Sequence, residues 1–188
     1  MLEHYPKEIV IKDGTPVQIR PATKEDEQAL NEFFSRIPLD ERWFLRDDLA
    51  DPAGLRRWLD QLDYNKVIPL VAVNQENGAI IAEVRLHRRL ARCLRHVAHL
   101  RIAVDPAYRN QRLGTWMLID VIRLAMDLGL DKLLAEFVQE AEEPAIHAAR
   151  RLDFFEHAVI RDYCKDVKGN YHDLLIMLKT LHSDWCDF

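Results

Sequence analysis

The sequence predicts an α/β fold built on one mixed, mostly antiparallel sheet of about six or seven strands, with helices on both faces. Three observations carry this. Apolar residues recur at helical spacing through Leu30, Phe33, Phe34 and Ile37 and again through Leu113, Met117, Val121, Leu124 and Leu128. Between those stretches the period changes, and short apolar runs bounded by turn residues read as strands. Finally, the order strand (Val97 to Val104), long helix, strand (Lys132 to Val138) predicts a parallel pair joined by a right-handed crossover.

Taken in order, Ile9 to Ile11 and Val17 to Ile19 flank Asp13-Gly14 and form a hairpin. Thr23 starts a helix, with Asp26 placed for a capping box. Asp51-Pro52 starts a second, a carboxylate cap followed by proline in the first turn, with Leu55, Trp58, Leu59 and Leu62 as its stripe. Val67 to Val73 and Ile80 to Leu86 are strands joined by the turn Asn74 to Gly78, and Val97 to Val104 pairs antiparallel with them until Asp105-Pro106 ends it. The long helix stops at Gly129. Lys132 to Val138, a helix over Pro144 to Leu152, and a hairpin of Ala158 to Cys164 with Leu174 to Leu178 around Lys168-Gly169-Asn170 complete the chain.

Size and composition narrow the function. A chain of 188 residues favours one domain, residues 1–188, with a core of about 17–181 and a loose tail over 182–188. Net charge is −5, so the whole-molecule field does not favour nucleic acid, although Arg85 to Arg95 is locally basic. Three cysteines at wide spacing, without a Cys-x-x-Cys, fit a reducing compartment. The N-terminal stretch lacks the apolar core of a signal peptide, and the apolar run Val67 to Val73 is too short to span a bilayer. A cytoplasmic protein without membrane or nucleic-acid partners is expected. Cys93, His96 and His99 sit three apart, alternate across a strand and do not converge, so no metal is expected. No Gly-x-x-x-x-Gly-Lys, Gly-x-Gly-x-x-Gly or Gly-x-Ser-x-Gly occurs.

The strongest local signal is the polar loop Arg109 to Gly114 between a strand and the long helix. A helix N-terminus offers amides that the helix itself cannot use, and its dipole adds roughly 0.3–1 kcal/mol per anionic group. That makes a site for phosphate oxygens, to which Arg109 and Arg112 would add charge-assisted contacts; the bland reading is a plain turn with solvated arginines.

The run Val104-Asp105-Pro106-Ala107-Tyr108-Arg109-Asn110-Gln111-Arg112-Leu113-Gly114 resembles motif A of the GNAT superfamily of N-acetyltransferases, Arg/Gln-x-x-Gly-x-Gly/Ala. Arg109 and Gly114 match the first and last positions; Arg112 replaces the middle Gly, where the helical turn is expected to need no positive φ. The resemblance extends from about Val17 to Leu181. Ile19-Arg20-Pro21-Ala22 resembles the opening strand, and Leu152-Asp153-Phe154 resembles Leu-Gly-Phe. Phe33-Phe34-Ser35 and Glu41-Arg42-Trp43-Phe44-Leu45-Arg46 are similar to the bacterial protein-lysine acetyltransferase branch. The resemblance implies a V-shaped opening between the two central strands, Val97–Val104 and Lys132–Val138. It implies acetyl-CoA as co-substrate, its pantetheine arm on Ile102, Ala103 and Val104 and its pyrophosphate on Gln111, Arg112, Leu113, Gly114 and Thr115, with Arg109 and Asn110 in the same loop. It also implies direct transfer of the acyl group to a primary amine.

Such transfer needs the amine neutral, and a lysine amine starts near ~10.4. By the resemblance, His99 stands where the protein-lysine branch has a glutamate base, and Glu83 is the competing carboxylate on the preceding strand. The tyrosine acid of many relatives is replaced by Ala149, leaving Tyr163 as substitute. Glu142 and Glu143 either attract a cationic substrate or complement the next helix. The acceptor stays open between protein lysine and a small-molecule amine, and acetyl over longer acyl groups is the family default. A homodimer is left open by Trp185 and Phe188 in the tail. The rival reading is a catalytically silent acyl-CoA-binding sensor or scaffold.

Overall fold

A computed structural model describes residues 2–45, 49 and 51–181. The tail with Trp185 and Phe188, and Arg46, lie outside the described residues. The chain forms β1 (Lys7–Val10), β2 (Pro16–Pro21), α1 (Glu27–Arg36), α2 (Leu39–Arg42), α3 (Pro52–Asp60), β3 (Val67–Asn74), β4 (Ile80–Arg88), β5 (Val97–Val104), α4 (Leu113–Asp127), β6 (Lys132–Val138), α5 (Glu143–Arg150), β7 (Phe155–Lys165) and β8 (Tyr171–Thr180). One sheet runs β1-β2-β3-β4-β5-β6-β8-β7, eight strands instead of the six or seven expected. Every described pair is antiparallel except β5 with β6.

Two apolar clusters hold the layers together. On one face Leu113, Met117, Val121 and Leu124 of α4 and Ile146 and Ala149 of α5 pack on Val84, Leu86, Ala98 and Leu100. On the other, Leu30, Phe33 and Phe34 of α1 and Leu55 and Leu59 of α3 pack on Val71 and Ile80. A bulge at Ala72/Val73 serves both faces: Val73 pairs with Ile80, and Ile81 turns into the α4 cluster. Asp26 stands where the capping box needs it, Oδ2 accepting from the Thr23 amide at 2.8 Å, but the first turn is a 3-10 turn and α1 proper begins at Glu27. Asp51 caps α3 by accepting from Gly54 N at 2.8 Å, with Pro52 in the first turn.

Candidate functional site

The parallel ladder between β5 and β6 runs from Val97↔Lys132 to Leu100↔Ala135 and stops. β5 stays paired with β4 as far as Val104↔Ala82, and β6 with β8 as far as Val138↔Leu174. The two halves of the sheet therefore continue while the seam between them parts, leaving two strand edges face to face. A side chain bridges the two strands just past the end of the ladder. Arg101 Nη1 donates to the main-chain oxygen of Glu136 at 2.6 Å, and Nη2 to Glu136 Oε2 at 3.1 Å. A guanidinium thus holds a carbonyl at the first level past the ladder. The cleft is lined by Phe44, Leu45, Leu100, Arg101, Ile102, Glu136, Phe137 and Glu142. Ile102 and Val104 pack toward the α4 cluster and Ala103 toward the α1 cluster, all three partly buried.

At the mouth of the cleft the chain turns into α4. Asp105, 3% exposed, accepts from Ala107 N at 3.0 Å and from Arg36 Nε at 2.5 Å, while Arg36 Nη2 donates to Ile80 O at 2.6 Å. Asn74 Nδ2 donates to Tyr108 Oη at 3.1 Å. Arg109 points back from the loop: Nε donates to Val104 O at 3.2 Å, and Nη1 and Nη2 donate to Glu41 of α2 at 3.1 and 2.5 Å. Gln111 offers its carbonyl to Lys12 N at 3.3 Å. Asn110 and Arg112 are left-handed, φ +61° and +63°. The expectation that the middle motif position needs no positive φ is thus corrected: Arg112 holds the conformation that a glycine there adopts without penalty.

Arg112 is exposed at the N-cap of α4, and no side chain caps the helix there. The first-turn amides have no acceptor within the helix, so Leu113, Gly114 and Thr115 direct N–H groups at the mouth. Leu113 contributes only its amide, its side chain being buried in the core. Gly114 lies against β5: a Cβ there would meet Val104 Cγ2 at 3.5 Å.

The candidate proton-transfer groups fall at different levels. Glu83 is opposite Ala103, level with the parted segment; it is buried and paired with Arg85, Nε to Oε1 3.0 Å. His99 is opposite His87 and Leu134, inside the closed ladder, and its Nε2 accepts from Arg89 Nε at 2.9 Å. Glu83, Arg85, His99 and Arg101 share the α1 face of the sheet by strand alternation. Tyr163 is 61% exposed on the edge strand β7, with β8 between it and β6. Glu142 Oε2 accepts from Val138 N at 2.6 Å, closing the end of β6, and Glu143 begins α5. Ala149 is buried, and Asp153, in the place of the expected glycine, takes φ +60°.

Sequence reasoning missed Arg36, Glu41, Arg101 and Glu136. Their roles depend on contacts between distant segments, and the one local signal was the alternation that puts Arg101 on the same face as His99. Among the described residues no group of three or more His, Cys, Asp or Glu could hold a metal ion, and no helix is long and apolar enough to cross a membrane.

Comparisons with known proteins agree with this geometry. Residues 27–154 match the family model described as "Acetyltransferase (GNAT) family". The chain is similar in fold to ribosomal-protein-S5-alanine acetyltransferase from Vibrio fischeri, with TM-score 0.76, 17% identity, and 95% of this chain and 98% of that one covered. It is also similar to ribosomal-protein-alanine N-acetyltransferase from Brucella melitensis, with TM-score 0.73, 23% identity, and 87% and 99% covered. A phosphinothricin acetyltransferase from Sinorhizobium meliloti in complex with acetyl-CoA gives TM-score 0.75, 18% identity, and 92% of each chain covered. No curated protein matches the chain in sequence.

Proposed function

The chain belongs to the acetyltransferase (GNAT) family, and from that premise we propose that it transfers acetyl from acetyl-CoA directly to a primary amine at the β5–β6 cleft. The observation that carries this is the continuity of the parted seam with the uncapped N-terminus of α4. A strand edge that has parted from its neighbour suits an extended amide-bearing chain such as pantetheine, here along Ile102, Ala103 and Val104, where Arg109 already holds the Val104 carbonyl. The amides of Arg112, Leu113, Gly114 and Thr115, with the helix dipole behind them, suit the pyrophosphate, and Asn110 and Gln111 shape that turn. Arg109 fixes the loop to Val104 and Glu41, and exposed Arg112 supplies the charge.

The chemistry requires the amine nitrogen to attack the thioester carbonyl carbon, the C–S bond to break, and a proton to leave the amine. Glu83 takes that proton, through water, because it stands level with the parted segment; Arg85 holds its carboxylate in place. His99 is the weaker base, being level with the closed ladder and engaged by Arg89. An amide N–H of the parted β5 segment stabilises the oxyanion. The exposed Tyr163 leaves the thiolate to take its proton from solvent. The acceptor is a protein amine, a lysine or a terminal α-amine, in keeping with the similarity of the Phe33–Arg46 segment to protein-lysine acetyltransferases. The place of action is the cytoplasm.

Thiol release from acetyl-CoA, measured with a lysine peptide, an alanine-terminated peptide, a polyamine and an aminoglycoside, tests the reading. Turnover with a peptide is expected, falling about 100-fold in Glu83→Gln, the size typical of a lost general base, and less in His99→Ala. Cofactor binding without turnover of any amine would favour a silent acyl-CoA sensor.

A further inference from the structure

The clasp of Arg101 on Glu136 stands at one particular level of the cleft. The last paired residues are Leu100 and Ala135, 3% and 1% exposed, so the seam below is filled by backbone and packed side chains. The next residues along both strands are Arg101 and Glu136 themselves, joined across the gap by two hydrogen bonds. Their side chains are 13% and 14% exposed. Phe44, Leu45 and Phe137 close in around them and leave the cleft narrow at this level.

We infer that the Arg101–Glu136 clasp is the acyl-length stop of this cleft, restricting the donor to a short acyl group, acetyl. The inference rests on the proposed acyl-CoA reading of the cleft and names a specificity-determining pair within it. A chain that follows β5 inward from the α4 N-terminus reaches the clasp with its acyl end. A longer aliphatic chain meets a guanidinium held on a carbonyl and a carboxylate. It would have to break those bonds and bury methylenes against charge, and bent back into solvent it gains nothing from burying its methylenes. The main-chain bond sets the stop, because it remains when the Glu136 side chain is removed.

The test needs no acceptor. Affinities of free CoA, acetyl-CoA, butyryl-CoA and hexanoyl-CoA are measured by calorimetry for the wild type, Arg101→Ala, Arg101→Met and Glu136→Ala, with free CoA as the reference within each variant. The wild type is expected to bind hexanoyl-CoA at least tenfold more weakly than acetyl-CoA. Arg101→Ala should bring the two within about threefold of each other, and Glu136→Ala should keep most of the wild-type ratio. Arg101→Met, of similar length without the charge, provides the same comparison if the alanine variant does not fold, and should also lose the discrimination. Equal affinity for all chain lengths in the wild type, or an unchanged ratio in both Arg101 variants, overturns the stop while leaving the cleft intact. Failure to bind free CoA overturns the acyl-CoA reading, and the stop with it.

Discussion

Arg112 occupies a left-handed backbone, φ +63°, at the N-cap of α4. For an L-residue with a Cβ this conformation costs roughly 1–2 kcal/mol, and glycine gives back about 0.5–1 kcal/mol of that through its larger loss of freedom on folding. Arg112→Gly should therefore raise the unfolding free energy by about 0.5–1 kcal/mol, read by urea denaturation. Arg112→Val, β-branched, should lower it. A loss in the glycine variant would mean that the arginine side chain contributes more than its backbone costs. Asp153, φ +60°, shows the same substitution pattern, a non-glycine residue in a left-handed place where the family has glycine. Both departures were visible in the sequence as residue changes. Their backbone geometry was not, because φ at a turn depends on how the flanking elements are held.

Element boundaries near the site were legible to a high degree. β5 and β6 begin and end where the sequence placed them, since Asp105-Pro106 stops one and the Gly129 turn precedes the other. Insertion of β8 between β6 and β7 was not legible, as a hairpin's local signal does not say which of its strands joins the sheet. The opening between β5 and β6 was expected from the resemblance, but not the level at which it starts, Leu100, nor the bridge of Arg101 to Glu136 beside it, since both depend on how segments far apart in sequence meet. The β7–β8 hairpin carries its own pH-dependent closure. Asp166 accepts from Asn170 Nδ2, Asn170 N and Lys168 N, each at 2.8 Å. The Asn170 side-chain bond leads the interactions that hold its carboxyl down to about 2 from an ordinary 3.8. A depressed carboxylate adds stability that is present above its unfolded value and lost as pH falls through the folded one. The difference in melting temperature between wild type and Asp166→Asn should thus be constant above pH 4 and shift in disfavour of the wild type between about 4 and 2. A difference that stays flat through that window would show that Asp166 does not close the hairpin.

At the scale of the whole molecule, one sheet is divided into two ladders that share only a short parallel seam. β1 to β5, with α1 and α3 on one face, make one part; β6, β8 and β7 make the other. α4 crosses from the first to the second on the opposite face, and its N-terminus sits where the two separate. Arg36 on Asp105 and Arg109 on Glu41 tie the α1–α2 segment to the loop at that point, so the wall that carries Phe44 is joined to the turn proposed to hold the pyrophosphate. On the reading proposed above, this turn holds CoA in a chain whose net charge, −5, works against an anionic ligand. The most direct measurement is calorimetric titration of acetyl-CoA into the wild type, Gly114→Ala and Gly114→Asp. Alanine adds a Cβ at ordinary contact distance from Val104, and aspartate in a first helical turn favours the helix, so both variants should fold. Micromolar binding to the wild type and the alanine variant, lost in the aspartate variant, is the predicted result. Absence of binding to the wild type at millimolar acetyl-CoA, or unchanged binding to Gly114→Asp, would contradict it.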